Sequence, residues 1–133
     1  MKKSKLQKRK DNPRSKYYLR QADALWGKTM HRLYDTCAVN NGDCAGKVEA
    51  HHLIHKHTKS LRHDPLNCLP LCTWHHVFSP ELSAHGAPID FAEWLKENRY
   101  DKWKWVMAHK NRVGVKPDYQ HAIEVLKGMS NGL

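Results

Sequence analysis

The sequence predicts a small α+β domain held together by metal-ligating side chains. Three observations lead there. Two short apolar runs, Val48–Ile54 and Leu66–Leu71, sit in a chain whose remaining apolar residues recur at helical spacing. Only 40% of the 133 residues are apolar, and small domains with thin cores usually need staples. Four cysteines and eleven histidines supply a candidate staple, and seven of those histidines lie between His51 and His76.

The elements follow in order. Residues 1–16 are polar, Lys-rich and broken by Asn12-Pro13, so they read as a disordered basic arm. Residues 17–36 form an N-terminal helix, with Leu19, Ala22, Leu25, Trp26, Met30 and Leu33 on one face. Residues 37–87 form the core. It opens with a turn-rich stretch around Asn41-Gly42, followed by the two strands. Pro70 ends the second strand or sits on an edge. A short helix follows from Cys72 to about Ser79, and then a loop over 81–88. Residues 88–133 form a helical extension of about three helices. The first starts at Asp90, capped through Glu93, and buries Phe91, Trp94 and Leu95. The second spans 101–110 with Trp103, Val106 and Met107 on one face. The third runs from Pro117 or Asp118 to Gly128, with Tyr119, Ala122, Ile123 and Leu126 inward.

The formal charge is +10, and it is uneven. Residues 1–20 hold nine basic residues against one acid, Asp11, which leaves the rest of the chain at only +2. A basic arm on a near-neutral body points to a polyanion, most often nucleic acid; the competing reading is a solvated tail. Lys2, Lys3, Lys8, Arg9 and Lys10 are the arm's candidate contacts. The N-terminus has no apolar h-region, so no secretory signal is expected. No stretch approaches the apolar length of a membrane span. In a cytosolic chain thiols stay reduced, so the cysteines read as metal ligands before disulfides.

The chemistry concentrates in Glu49-Ala50-His51-His52, then Asn67, then Leu71-Cys72-Thr73-Trp74-His75-His76. Neighbouring strand residues point to opposite faces, so the two rings of the His doublet do not easily bind one ion; one should be a ligand and the other should do something else. The order of His doublet, Asn and helix-borne His resembles the HNH signature. The stretch "LRHDPLNCLPLC" is similar to a stretch found in phage HNH proteins. "FAEWL" and "ADALWGKTMHRLY" look like the lambdoid-phage recombination nucleases of the NinG type. The resemblance covers roughly residues 20–110 and implies a ββα-metal core of two antiparallel strands and a helix around one ion.

On that pattern His51 and His76 are ligands of a catalytic divalent ion. His52 is the general base that activates water, a role suited to a ring whose ordinary pKa is about 6.5. Asn67 bonds the intervening loop and holds His52 in place. With two imidazole ligands the ion could be Mg2+, Mn2+, Ni2+, Co2+ or Zn2+. Lys56, Lys59 and Arg62, in the loop after the base, are candidate phosphate contacts or simply solvated. His31, His55, His57, His63, His85, His109 and His121 read as ordinary surface or half-buried histidines. Trp105 lies off the apolar face of its helix and reads as partly buried, with stacking on a base as the alternative.

Many HNH proteins carry two Cys-x-x-Cys knuckles around a structural zinc. Here Cys37 and Cys44 have six residues between them rather than two, and His75 stands where the last cysteine would be. Cys37, Cys44, Cys72 and His75 make a Cys3His set, an ordinary zinc environment. Successive helical residues diverge by about 100°, so His75 and His76 are expected to serve different sites. Cys68 competes for the zinc site, although its apolar neighbours favour a buried thiol.

The expected function is a metal-dependent DNA endonuclease acting in the cytoplasm of a bacterial or phage-infected cell. The alternative is a zinc-stapled DNA-binding module with an inactive site. A two-Cys, two-His finger is disfavoured by the Cys37–Cys44 spacing. Substrate structure and oligomeric state are left open.

Overall fold

A computed structural model describes residues 2–131. Met1 and residues 132–133, at the outer ends of the arm and the helical extension, lie outside the described residues. The fold is α+β, with one two-stranded sheet and five α-helices among those residues.

The arm is not disordered throughout. Helix α1 (Lys5–Asp11) starts at Ser4, whose Oγ accepts from the Gln7 amide at 3.1 Å, and ends before Asn12-Pro13. Every residue of α1 is exposed. It is tied to the next helix by the Ser15 hydroxyl donating to the Arg9 carbonyl at 2.7 Å and by Tyr18 Oη donating to the Lys10 carbonyl at 2.5 Å. The cap and these two bonds give a local helix to a segment with no buried side chain of its own.

Helix α2 (Lys16–Leu33) buries Ala22, Trp26, Thr29 and Met30, and packs along the last helix, α5 (Tyr119–Asn131). Thr29, polar and absent from the expected apolar face, is fully buried because Ser130 on α5 meets its hydroxyl at 3.0 Å. Gly128 does not end α5; the helix runs on to Asn131, with Tyr119, Ile123 and Leu126 buried.

Strands β1 (Val48–His51) and β2 (Leu69–Cys72) pair antiparallel, with Ala50 opposite Pro70 and His51 opposite Leu69. Both are shorter than expected. Leu66 is 53% exposed and precedes β2 in a turn. Pro70 does not end β2. Its carbonyl accepts from the Ala38 amide at 2.8 Å, on the side away from β1. In an extended strand the N and C=O of one residue face the same way, so the missing proline N–H costs no ladder bond.

Trp74–Phe78 form a single wide π-turn rather than an α-helix, closed by the Ser79 amide donating to the Trp74 carbonyl at 2.8 Å. Such turns recur at functional sites. Helix α3 (Pro88–Asn98) begins two residues before the expected cap. Pro88 opens it, and Asp90 lies in its first turn. A proline at the first position presets the backbone and makes the side-chain cap dispensable. Helix α4 (Tyr100–His109) buries Lys102, not Met107, which is 43% exposed. The Lys102 amine donates to the Leu66 carbonyl at 3.3 Å and lies 6.0 Å from the Tyr34 ring centre. Trp105 is half-buried and stacks on His109 at 4.6 Å.

The core is divided. One cluster joins Cys37, Leu69, Leu71 and Cys72 to Phe91 and Leu95. Another joins Trp26, Met30 and Cys68 to Leu126. The sheet is packed between them, α3 on one side and α2 with α5 on the other, and this sandwich splits the His doublet.

Candidate metal centres and the histidine pocket

Cys37, Cys44, Cys72 and His75 come together from three elements and form a group that can hold a metal ion. The three sulfurs lie 3.7, 3.6 and 3.2 Å from His75 Nδ1. One imidazole nitrogen has one lone pair or one proton, so it cannot hydrogen-bond three thiols at once. A tetrahedral ion with sulfur at about 2.3 Å and nitrogen at about 2.0 Å separates such atoms by about 3.5 Å, which these distances bracket. The donor set fits a structural metal such as zinc.

The long Cys37–Cys44 spacing is absorbed by the loop itself. Asn40 takes a positive φ of 43°, Asn41 Oδ1 accepts from the Asp43 amide at 3.0 Å, and Gly46 takes φ 84°. The expected turn glycine, Gly42, is not among the positive-φ positions. A side chain at Gly46 would come within 2.7 Å of Thr73, so this glycine lets the loop lie against the end of β2. The Thr73 amide donates to the Lys47 carbonyl at 2.9 Å, and the Trp74 amide to the Ala45 carbonyl at 3.1 Å.

Cys68 lies outside this group. It is 1% exposed among Trp26, Met30 and Leu126, and burial pushes its thiol up to about 12. That competition is resolved in favour of packing. No disulfide occurs among the described residues.

The His51, His76 and His85 rings converge in a second group in which one nitrogen from each ring lies within 4.8 Å of the others. Ring centres are 5.0 Å apart for His51–His76 and 4.9 Å for His76–His85. His51 ends β1 and His76 stands on the π-turn. His85 comes from the following loop, where its amide donates to the His76 carbonyl at 3.0 Å and the Ala84 amide donates to the His75 carbonyl at 3.0 Å. Gly86 is packed so tightly that a Cβ would lie 2.5 Å from Ser83 Oγ. The return of this loop over the π-turn places His85, and sequence spacing gives no sign of it.

Burial, together with His76 and His85, pushes the His51 imidazole down to about 3. Three imidazoles, each offering one nitrogen to the same small space, suit a cation. His76 Nδ1 lies 3.3 Å from Glu49 Oε2, an arrangement that leaves Nε2 free to ligate. The Thr73 hydroxyl donates to Glu49 Oε1 at 2.8 Å and holds that carboxyl below its ordinary value.

His52 turns the other way. Its ring stacks on Trp26 at 4.1 Å and 11°, and its Nε2 lies 2.8 Å from the Arg62 carbonyl. A carbonyl can only accept, so Nε2 carries the proton and Nδ1 is the basic nitrogen of the neutral ring. Burial lowers the His52 pKa. Even so, His52 lines the same cavity as the triad, about 560 Å³, with His55, Lys56, Phe91 and Leu95. Asn67, fully buried, staples the loop between. Its Oδ1 accepts from the Ile54 amide at 2.7 Å, and its Nδ2 donates to the Ile54 and Leu61 carbonyls at 2.9 and 3.0 Å.

Of the candidate phosphate contacts, Arg62 is committed elsewhere, with its guanidinium gripped by Asp23. Lys56 lies at the histidine cavity, while Lys59 lines a neighbouring cleft of about 410 Å³ with Arg112, Lys116 and His121. Arg112 and Lys116 were not anticipated. Lys2, Lys3, Lys8, Arg9 and Lys10 are exposed on and before α1, Lys3 pairing with Asp11 at 2.6 Å. No helix among the described residues is long and apolar enough to cross a membrane. No protein-family model, no curated protein and no solved structure matches this chain.

Proposed function

We propose that this chain is a metal-dependent DNA endonuclease of the HNH type, with β1, β2 and the π-turn as its ββα-metal core. The observation that carries the reading is one cavity shared by a three-histidine ligand set and a separate, oriented histidine. A binding module needs neither the triad nor a fourth ring with a defined basic nitrogen.

In this reading His51, His76 and His85 hold the divalent ion. Bound there, the ion supplies positive charge to the phosphate and the leaving oxygen. His52 Nδ1 takes a proton from the attacking water, while the Arg62 carbonyl holds the opposite nitrogen protonated. Asn67 keeps the loop that follows His52 in shape. An all-imidazole set suits Ni2+, Co2+ or Zn2+ better than Mn2+ or the hard Mg2+, which favour oxygen ligands. Exposed α1 and the cleft lined by Lys59, Arg112 and Lys116 offer phosphate contacts.

The test is cleavage of supercoiled plasmid by the zinc-loaded protein across a panel of divalent metals. His52→Ala should lose about 10²–10⁴ in rate, unrescued by metal, because a positioned base is gone. His85→Ala should weaken the ion and recover in part at high metal concentration. Near-normal cutting by His52→Ala would refute the mechanism. Tight DNA binding with no cutting under any metal would favour the zinc-stapled binding module.

A further inference from the structure

The carbonyl that fixes the His52 ring belongs to a clamped residue. Arg62 Nε and Nη2 donate to the two carboxylate oxygens of Asp23 at 2.9 and 2.7 Å, a two-pronged grip that sets orientation as well as distance. The next residue, His63, puts Nε2 2.6 Å from the same carboxylate, and its side chain is only 3% exposed. Asp23 thus holds two successive residues on either side of the Arg62 carbonyl.

Trp26 lies one turn further along α2, on the same face as Asp23. Its ring stacks on His52, and its Nε1 donates to the Asp64 carbonyl at 3.2 Å. Residues 62–64 form an irregular turn with no ladder of their own. The Asp64 amide donates to the Leu61 carbonyl at 3.1 Å within the turn, and the Asp23 and Trp26 side chains tie that turn to α2.

We infer that Asp23 and Trp26, on a helix outside the strand-turn core, are the positioning residues of the His52 base. Asp23 aims the Arg62 carbonyl, the carbonyl selects the Nε2–H tautomer, and Trp26 fixes the plane of the ring. The catalytic part rests on the nuclease reading; the tautomer part does not. A plain structural ion pair would add stability and leave the His52 tautomer unchanged.

The experiment compares the full zinc-loaded chain with Asp23→Asn and Arg62→Lys. The first keeps shape and loses charge. The second keeps charge and loses the two-pronged grip, and it stands in if the first does not fold. Long-range nitrogen–proton NMR of the histidine rings, at alkaline pH where all are neutral, reads the His52 tautomer, assigned with His52→Ala. The unmodified protein should show Nε2–H alone and the variants a mixture. Plasmid cleavage should lose about 10–100-fold in kcat with KM and zinc content unchanged, the scale seen when an outer partner of a catalytic group is removed. Trp26→Phe, which keeps a stacking ring and loses the Asp64 bond, should fall between. An unchanged His52 signature in both clamp variants would overturn the proposal, as would unchanged kcat. Failure of the unmodified protein to cut DNA would overturn the nuclease reading alone, because the tautomer comparison would still decide the clamp.

Discussion

Asn67→Ala is the most informative stability test. The side chain is 0% exposed and makes three hydrogen bonds, to the Ile54 amide, the Ile54 carbonyl and the Leu61 carbonyl. Ile54 and Leu61 are themselves 8% and 1% exposed, so water does not readily replace the lost partner. Leaving a buried polar group unpaired costs about 1–3 kcal/mol. Three such groups, with some relaxation, put the loss at about 3–5 kcal/mol, against about 5–15 kcal/mol for a whole domain. Urea unfolding of the zinc-saturated protein measures it. With a slope of about 1–3 kcal/mol per M, the midpoint should fall by more than about 1 M. Hydrogen exchange gives the local check: the Ile54 amide should lose protection before the α2–α5 pair does. A loss below about 1 kcal/mol, or an Ile54 amide protected as before, would refute the view that this asparagine shapes the loop.

With zinc bound at the Cys37, Cys44, Cys72 and His75 group, chelation should unfold the protein, since such a centre contributes folding energy directly. Cys44→Ser should lose that metal while Cys68→Ser keeps it, as metal analysis of the two purified variants would show. Gly86→Ala places a methyl within 2.8 Å of Ser79 O and Val77 O, so it should cost about 1–3 kcal/mol in unfolding experiments and displace His85. Burial holds the Lys102 amine below the ordinary lysine value. The unfolded chain therefore binds more protons between the folded pKa and the ordinary one, and stability should rise as pH rises through that interval. Lys102→Met should abolish the alkaline gain and be neutral or stabilising near pH 7, as thermal unfolding against pH would reveal. Deleting residues 2–12 should weaken DNA binding and flatten its salt dependence, as should Arg112→Glu with Lys116→Glu. Each lost phosphate contact lowers the slope by about 1, and an unchanged slope would remove that surface from the interface.

Much of this protein was legible in the residues alone. The apolar spacing of α2 and α5 marks their buried faces, because a helix repeats its direction every three to four residues. Alternation on a strand predicts that His51 and His52 diverge, and they do: one faces His76 and Phe91, the other Trp26. The resemblance to the zinc knuckles of HNH proteins pointed to Cys37, Cys44, Cys72 and His75, with Cys68 as a competitor, and those four do come together as a group that can hold a metal. The helix in the basic arm was not expected, because its high charge and single apolar residue, Leu6, give no periodic face to read.

Other features depended on contacts between segments distant in sequence. His85 joins the triad only because the loop after the π-turn folds back over it, a return path that no spacing rule encodes. Arg62 looks like a phosphate ligand until Asp23, on α2, is found to occupy its guanidinium. Lys102 is buried and Met107 exposed because a carbonyl and the Tyr34 ring lie where α4 docks, and docking overrides the apolar pattern of one helix. Local order follows backbone geometry and side-chain period, both properties of neighbouring residues. Which side chain meets which partner across the core is decided by how the elements pack, and there the tertiary structure alone gives the answer.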